Sequence, residues 1–464
     1  MIKSFRRILG VMLLLFATMQ AMAQQPSGSI TLKQLLVQVN KKSPALISDS
    51  AAILIRKAQA AEVRNNWLPN LRLNYQADVG TNNNDAGPYF GFGIVPSDSR
   101  GVRTGSVTTA TSTTLGVAAL DWEVYNFGAY GAQNRVAKSD IQVEQSNFAE
   151  SKYQIQAYAI DNYLQLLRLQ DFLNIQLRNI QRNEEIKKSV LSLAKSGVRP
   201  GVDTSIAEAE LSKARLDYIE LSNQARQTQL QLSAISGLPA ASIVPDTTAS
   251  AILVNKFMLD NLHDIDTANH PLINFYRSVY QNSLERENLV KKSYNPKILL
   301  EGAVWGRGSS VDANDQFNSL SDGLGFNRNN YLFGVGITYN LFDIKRRQFK
   351  LNTEKTVADY ALKKLQEESA MLSINDQQAN QEMYTARQRL KEIPNQLNAA
   401  NAGYRQKLSL YKNGLTDIIE LNAALNILYR AETDYVSAKY SYSHAFFQKA
   451  ITENQVSQIL NLLN

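Results

Sequence analysis

The sequence predicts a mainly α-helical fold with a small β part, built as a duplicated bundle of long helices. Two tracts of about seventy residues, 127–196 and 344–413, are rich in Gln, Ala, Leu, Lys and Glu, and Pro394 is the only proline in either. Four short segments alternate apolar and polar residues with the period of a β-strand. The two halves of the chain also repeat one another.

The long helical tracts exceed what a compact domain can hold. A helix of about seventy residues extends roughly 105 Å at 1.5 Å per residue, several times the diameter of a small domain. Such a length indicates a bundle, a coiled coil or a conduit. Shorter helices are expected at 31–66, 201–236, 268–293 and 416–447.

Residues 1–23 have the features of a cleaved secretory signal peptide. Basic residues within 3–7 precede an apolar run at 8–19, and the Ala-Met-Ala stretch at 21–23 fits the cleavage rule, so the mature chain is expected to begin at Gln24. The alternative is an N-terminal membrane anchor, which needs about 20 apolar residues to span a bilayer. This apolar run is shorter, which favours the signal peptide.

The predicted strands have lengths that suit a membrane-spanning sheet, for which about 9–11 residues are needed. They are 70–79, 115–125, 297–305 and 331–341, and the apolar phase of the second changes after Ala119, which predicts a β-bulge there. The loops 80–114 and 306–330 are rich in Gly, Ser, Thr, Asn and Asp, like the exterior loops of outer-membrane barrels. The alternative is a pair of ordinary hairpins that cap a soluble bundle.

The internal repeat sets the organisation of the chain. The sequence around Gly197 aligns with that around Gly414, and Asp217 aligns with Asp434, both at an offset of 217 residues. We therefore expect each half to read helix, strand, strand, long helix, helix. The predicted parts are a signal peptide (1–23), a first repeat (24–240), a linker (241–267), a second repeat (268–447) and a C-terminal tail (448–464).

Four amphipathic strands cannot close a membrane barrel. The smallest single-chain barrels use about eight strands, and lipid tolerates no open sheet edge. If the strands enter a bilayer, other copies of the chain must complete the sheet. Two copies then supply eight strands and three supply twelve.

The composition excludes several classes of function. The chain has 464 residues, no Cys and three His, which leaves no thiolate metal site, no disulfide and no cysteine nucleophile. The formal charge of +7 is spread along the chain, so nucleic acid is not an expected partner. We find no Ser–His–Asp arrangement, phosphate loop or metal-ligand spacing, and we therefore expect no enzyme activity, metal or cofactor.

A family resemblance is carried by the order of several short stretches. These are 197–210, 232–237, 411–414 followed by Asp417, Glu420, Leu421 and Ala424, the helix-to-strand junctions 67–69 and 294–296, and the return at 125–128. Together they resemble the TolC-like outer-membrane efflux protein family, over almost all of the mature chain.

The resemblance implies a homotrimer with one shared twelve-stranded β-barrel in the outer membrane of a Gram-negative bacterium, and an α-helical barrel that crosses the periplasm. It further implies a periplasmic adaptor that docks on the helical tips, and an inner-membrane pump. The implied function is the exit duct of a tripartite efflux or secretion system.

Two acids mark the gate that the resemblance implies. Asp417 and Glu420 are three residues apart, so they share one face of the helix after Gly414, and Glu420 is the better match to the acidic entrance of the family. In a trimer each would form a ring of three carboxylates that favours cations. The alternative is that these acids cap the helix and complement its dipole, a contribution of about 0.3–1 kcal/mol each.

Adaptor contact is predicted at the two helix turns, whose residues are Gly197, Val198, Gly414 and Leu415. The alternative is a glycine required for positive φ beside a local apolar contact. Lys195 and Arg199 at the first turn are expected to be solvated. His444 is expected to serve packing, beside Phe446 and Phe447.

Aromatic residues in or beside the strands are candidates for the girdle at the membrane boundary. They are Trp67, Trp122, Tyr125, Tyr294, Trp305 and Tyr339, with lumen or bundle packing as the competing use.

The main rival is a periplasmic coiled-coil adaptor or scaffold that never enters the bilayer. Such a protein would not need four amphipathic strands. The substrate stays open among drugs, bile salts, siderophores and secreted polypeptides.

Overall fold

The computed structural model describes residues 29–83, 104–246 and 269–462. The predicted signal peptide and most of the predicted linker lie outside these residues. The helices are α1 (Leu32–Lys42), α2 (Pro44–Asn65), α3 (Ala129–Lys195), α4 (Val202–Ser236), α5 (Pro271–Ser293), α6 (Asp343–Lys412), α7 (Ile418–Thr452) and α8 (Val456–Leu462). The strands are β1 (Asn70–Thr81), β2 (Ala110–Tyr125), β3 (Lys297–Ser309) and β4 (Arg328–Thr338). The predicted fold class, long helices with a small four-stranded sheet, is confirmed.

The element lengths agree with a duplication. The long helices α3 and α6 have 67 and 70 residues, and the helices that follow them, α4 and α7, have 35 each. The helices that precede the strands, α2 and α5, have 22 and 23. Among the residues described, no helix combines the length and the apolar composition that a bilayer crossing requires.

The predicted helix 31–66 is wrong as a single element. The chain ends α1 at Lys42 and begins α2 at Pro44, with Ser43 as the C-cap of α1. Proline disfavours helical geometry at the residue before it and has no N–H to donate, so the helix is interrupted there. At its start, α1 has a capping box between Thr31 and Gln34.

The chain divides into two compact units. The first comprises the described residues of Met1–Ile53, Glu144–Ser278 and Lys363–Asn464, and the second comprises those of Leu54–Val143 and Val279–Leu362. The first unit holds two apolar cores. One is built around side chains that are almost fully buried, such as Leu35, Tyr163, Leu232 and Phe446. The other includes Ile186, Val190, Tyr411, Leu421 and Leu425, and it packs the ends of the long helices against α7.

The second unit holds the antiparallel sheet, in the strand order β1-β2-β3-β4. Within the described residues β1 pairs with β2 alone and β4 with β3 alone, so each edge strand has one side without a strand partner. The strands have 12, 16, 13 and 11 residues, as long as or longer than a membrane crossing requires.

The pairing register separates one apolar face from one more polar face. Tyr75, Gly116, Gly306 and Asn329 are partners across the four strands and therefore lie on one face. That face, which we call the apolar face, carries exposed side chains that include Leu71, Leu73, Val79, Val304, Tyr331, Phe333, Val335 and Ile337. Their exposed fractions range from 59% for Val304 to 84% for Tyr331. The other face carries Arg72, Asp121 and Glu301.

The predicted bulge after Ala119 is wrong in position. The β2–β3 register is continuous there and shifts between Glu123 and Tyr125. The prediction took the change of apolar phase along β2 as a bulge. The change arises because Leu115, Val117 and Ala119 lie on the more polar face, whose central part holds apolar residues.

His270 precedes α5 and supports a pH prediction. It is 4% exposed, its Nδ1 accepts from the N–H of Leu272 at 3.2 Å, and its Nε2 lies 3.1 Å from the carbonyl oxygen of Ile451. Since Nδ1 accepts, the proton of the neutral ring lies on Nε2 and is donated to that carbonyl. Burial lowers the pKa of His270.

We expect the free energy of unfolding to fall as the pH drops below about 6.5, the ordinary pKa of histidine, because the unfolded chain then binds a proton that the folded chain resists. Thermal unfolding at about pH 7.5 and about pH 5.5 checks this. His270→Gln retains a donor to Ile451 and should lose less stability over this interval than the wild type. An equal loss in both proteins would contradict the assignment.

Candidate functional site

The two helix turns have the same backbone geometry. Gly197 follows α3 with φ +73°, and Gly414 follows α6 with φ +76°. The next N–H after each glycine donates to the carbonyl five residues earlier, at 3.0 Å from Val198 and 2.9 Å from Leu415. This is a Schellman motif, in which glycine is favoured because it adopts positive φ without steric cost.

The apolar residue after each glycine points away from the bundle core. Val198 is 57% exposed and Leu415 is 72% exposed in the single chain. Val202 and Ile419, in the first turns of the helices that follow, are exposed as well. The two turns therefore expose apolar side chains to solvent in the single chain, while their role in adaptor docking stays a prediction.

Asp417 caps α7. Its backbone is extended, and its Oδ1 accepts a hydrogen bond of 2.8 Å from the N–H of Glu420. This is the N-cap geometry that stabilises a helix by about 1 kcal/mol. The structure therefore gives Asp417 the capping role that the sequence left open, and no contact in the single chain tests the gate.

Glu420 lies in the first turn of α7 and forms an ion pair with α6. Its Oε2 is 2.9 Å from Nζ of Lys407, and its side chain is 58% exposed. An exposed pair of this kind contributes about 0–1 kcal/mol to stability. The carboxylate is therefore paired with Lys407 and also accessible to solvent, and its gate role remains a prediction.

The expectation that Arg199 is solvated is wrong. Its guanidinium donates to the carbonyl oxygen of Thr416 at the other turn. The same guanidinium lies 5.1 Å from the ring centroid of Tyr411, within the range of a cation–π contact. Arg199 therefore connects the two helix turns.

Tyr411 extends this connection to α4. It is fully buried, and its hydroxyl donates to Oδ2 of Asp203 at 3.5 Å, a carboxylate that is 7% exposed. Burial, together with the Asp203 charge, raises the pKa of the Tyr411 hydroxyl. We name Arg199, Asp203, Tyr411 and Thr416 the tip clamp. The repeat marks Arg199 and Thr416 as equivalent positions, but equivalence alone does not predict contact.

The aromatic candidates lie in different settings. Trp122 is on the apolar face, and its Nε1–H donates at 2.9 Å to the carbonyl oxygen of Trp67, whose ring centroid is 5.0 Å from that of Trp122. The rings of Tyr125 and Phe127 are in edge contact at 4.8 Å. Tyr294 and Tyr339 follow α5 and β4.

Trp305 lies on the more polar face, opposite Val117 and Asn330. It therefore does not share a face with Trp122 and does not join an apolar belt. The alternation along β3 predicts the face of Trp305 once Val304 and Gly306 are assigned to the apolar face. The aromatic character of Trp305 alone does not predict it.

His444 has a polar role besides packing. Its Nε2 is 3.1 Å from Oδ1 of Asp161, and this contact is the main cause that lowers the pKa of Asp161. Arg168 lies 4.7 Å from the ring centroid of Tyr440, and the hydroxyl of Tyr440 donates to Asp161. Asp161 and Arg168 therefore both contact this tyrosine rather than forming a direct pair.

No group of three or more His, Cys, Asp or Glu suited to a metal ion occurs in the part of the chain that the structure describes.

Long helices, a sheet with one exposed apolar face and matched helix turns agree with the resemblance to outer-membrane efflux proteins. Residues 35–238 match the family model described as "Outer membrane efflux protein". No curated protein matches the sequence.

Several solved outer-membrane proteins share the fold. The outer-membrane channel OprN is 17% identical with a TM-score of 0.71, covering 94% of this chain and 91% of that one. VceC from Vibrio cholerae is 11% identical with a TM-score of 0.70, covering 91% and 95%. The CmeC outer membrane channel of Campylobacter jejuni is 15% identical with a TM-score of 0.70, covering 93% and 89%.

These findings confirm the resemblance to the TolC-like outer-membrane efflux protein family. The family match and the shared fold support an outer-membrane efflux channel, and proteins of that family are channels, not enzymes.

Proposed function

We propose that three copies of the chain close one twelve-stranded β-barrel in the outer membrane. The observation that carries this proposal is the sheet, whose apolar face is exposed and whose edge strands β1 and β4 each have a side without a strand partner in the described residues. An open edge is not tolerated in lipid, and four strands are too few to close. The number three comes from the family resemblance.

The more polar face then lines the lumen, and the helices continue the duct through the periplasm. The pump and the adaptor are distinct proteins, and the adaptor docks at the exposed turns of Val198 and Leu415. Residues 1–23 direct export and are cleaved. Transport is passive within the duct, so its energy comes from the pump.

The test is the migration of the protein from outer-membrane fractions on gels in dodecyl sulfate. An unheated sample should run at the mass of three chains and a boiled sample at that of one. A single chain recovered from the periplasmic fraction would overturn the proposal and favour the adaptor or scaffold alternative.

We also propose that Glu420 narrows the periplasmic mouth as a ring of three carboxylates. Glu420→Gln removes the three charges at nearly constant volume, so cation selectivity and block by divalent cations should decrease severalfold in single-channel recordings. Glu367→Gln is the matched control, because Glu367 is 62% exposed and pairs with Lys364 at 3.1 Å, as Glu420 pairs with Lys407. Selectivity that is equal in both variants would place the gate elsewhere.

A further inference from the structure

The loop between β3 and β4 folds back over the apolar face of the sheet. Ser112, which lies on this face and is 1% exposed, donates from its Oγ to the carbonyl oxygen of Leu320. A Cβ added to Gly308 would overlap the carbonyl oxygen of Gly325, and one added to Gly323 would overlap Ser112. The backbone of the loop is therefore in direct contact with this end of the apolar face.

A pair of glycines on the apolar face leaves space for an aromatic ring of this loop. Gly116 and Gly306 are directly opposite in the register, and an added Cβ would meet the ring of Phe326 at 2.6 Å and 2.9 Å. The Phe326 ring also makes an edge contact with Tyr75 at 6.3 Å between centroids. Filling a glycine gap with an aromatic ring stabilises a sheet, so the loop has a defined position.

The loop adds apolar surface on this side of the sheet. Leu320, Leu324 and Phe326 are 44%, 54% and 53% exposed over the described residues. They continue the exposed band that includes Tyr75 and Tyr331. Contiguous exposed apolar surface of this kind marks a contact with lipid or protein.

We propose that residues 320–326 form a lipid-contacting strap, whose leucines lie among the acyl chains at the outer edge of the membrane. This inference rests on the proposed function, because the strap continues the face assigned to lipid. The loop joins the strand ends that lie farthest along the strands from the helix connections at Asn70 and Tyr125, which places it at the exterior leaflet. Acyl chains are the occupant for Leu320, Leu324 and Phe326, because these exposed side chains are apolar and the surface beside them is the lipid face. Ser321 and Asp322 between them are exposed and polar, and the proposal places them in the headgroup layer.

Site-directed spin labelling tests the strap without background, because the sequence contains no cysteine. Leu320→Cys and Leu324→Cys report on the strap. Tyr331→Cys and Asn330→Cys are adjacent references for the apolar and the more polar face of β4. Each variant is labelled with a nitroxide as the full mature protein in phospholipid vesicles, and its collisions with oxygen and with a water-soluble nickel complex are compared.

If the strap contacts lipid, collisions with oxygen should exceed collisions with the nickel complex at 320, 324 and 331. Collisions with the nickel complex should exceed those with oxygen at 330. Nickel collisions that dominate at 320 and 324 while oxygen dominates at 331 would overturn the strap and leave the proposed function intact. Exclusion of both reagents at 320 and 324 would mean that protein covers the leucines, which also overturns it. Nickel collisions that dominate at 331 would overturn the membrane face itself and the strap with it.

Discussion

Phe333→Arg is expected to prevent the protein from assembling in the outer membrane. Phe333 lies at the centre of β4 on the apolar face and is 69% exposed in the single chain. An arginine on the lipid face at the bilayer midplane costs about 2–4 kcal/mol, and a trimer would bear this cost three times. The measurement is the amount of heat-modifiable oligomer in outer-membrane fractions, which should fall close to zero.

Leu332→Arg is the matched control for this prediction. Leu332 is the preceding residue of the same strand, is 58% exposed and lies on the more polar face. In the proposed barrel an arginine there would lie in the aqueous lumen, and it should leave assembly near the wild-type level. If both variants assembled equally well, the assignment of the apolar face to lipid would be wrong.

Breaking the tip clamp is expected to open the periplasmic end. Arg199→Ala removes a hydrogen bond from a charged donor, valued at about 1.5–3 kcal/mol, and a cation–π contact of about 0.5–2 kcal/mol. Tyr411→Phe removes only the hydroxyl that contacts Asp203. The double variant should shift the equilibrium toward separated turns, because it removes interactions that join them.

Single-channel recordings check this second prediction. The conductance or the open probability should rise in Arg199→Ala and rise further in the double variant. Arg215→Ala is the control, because Arg215 forms a comparable surface pair with Glu184 at 2.9 Å in the same unit and is not part of the clamp. A double variant that conducts like the control would show that the clamp is structural and does not hold the mouth closed.

Much of the fold could be predicted because its elements are long and strongly patterned. The helix predicted at 201–236 is found at Val202–Ser236, and the strand predicted at 70–79 is found at Asn70–Thr81. Local features of the sequence account for the two wrong predictions of secondary structure. Pro44 interrupts the first helix, and apolar residues on both faces of β2 hid that its register is continuous after Ala119 as far as Glu123.

The candidate site was less accessible from sequence, because its contacts are formed between repeats. Arg199 and Thr416 meet across two turns that are 217 residues apart, which no local pattern encodes. Trp305 was assigned by residue type, whereas its face is decided by register. By contrast, the glycines of the turns were predictable, since a helix that ends in a Schellman motif requires positive φ.

The most direct test of the outer-membrane duct is the conductance of the purified wild-type protein in a planar lipid bilayer. We expect small, discrete, cation-favouring steps that divalent cations reduce, from a preparation that runs as a trimer. The clamp double variant is recorded beside it, so that a duct closed by the clamp is detected. A protein that purifies as a water-soluble single chain and gives no steps in either form would contradict the assignment as an exit duct.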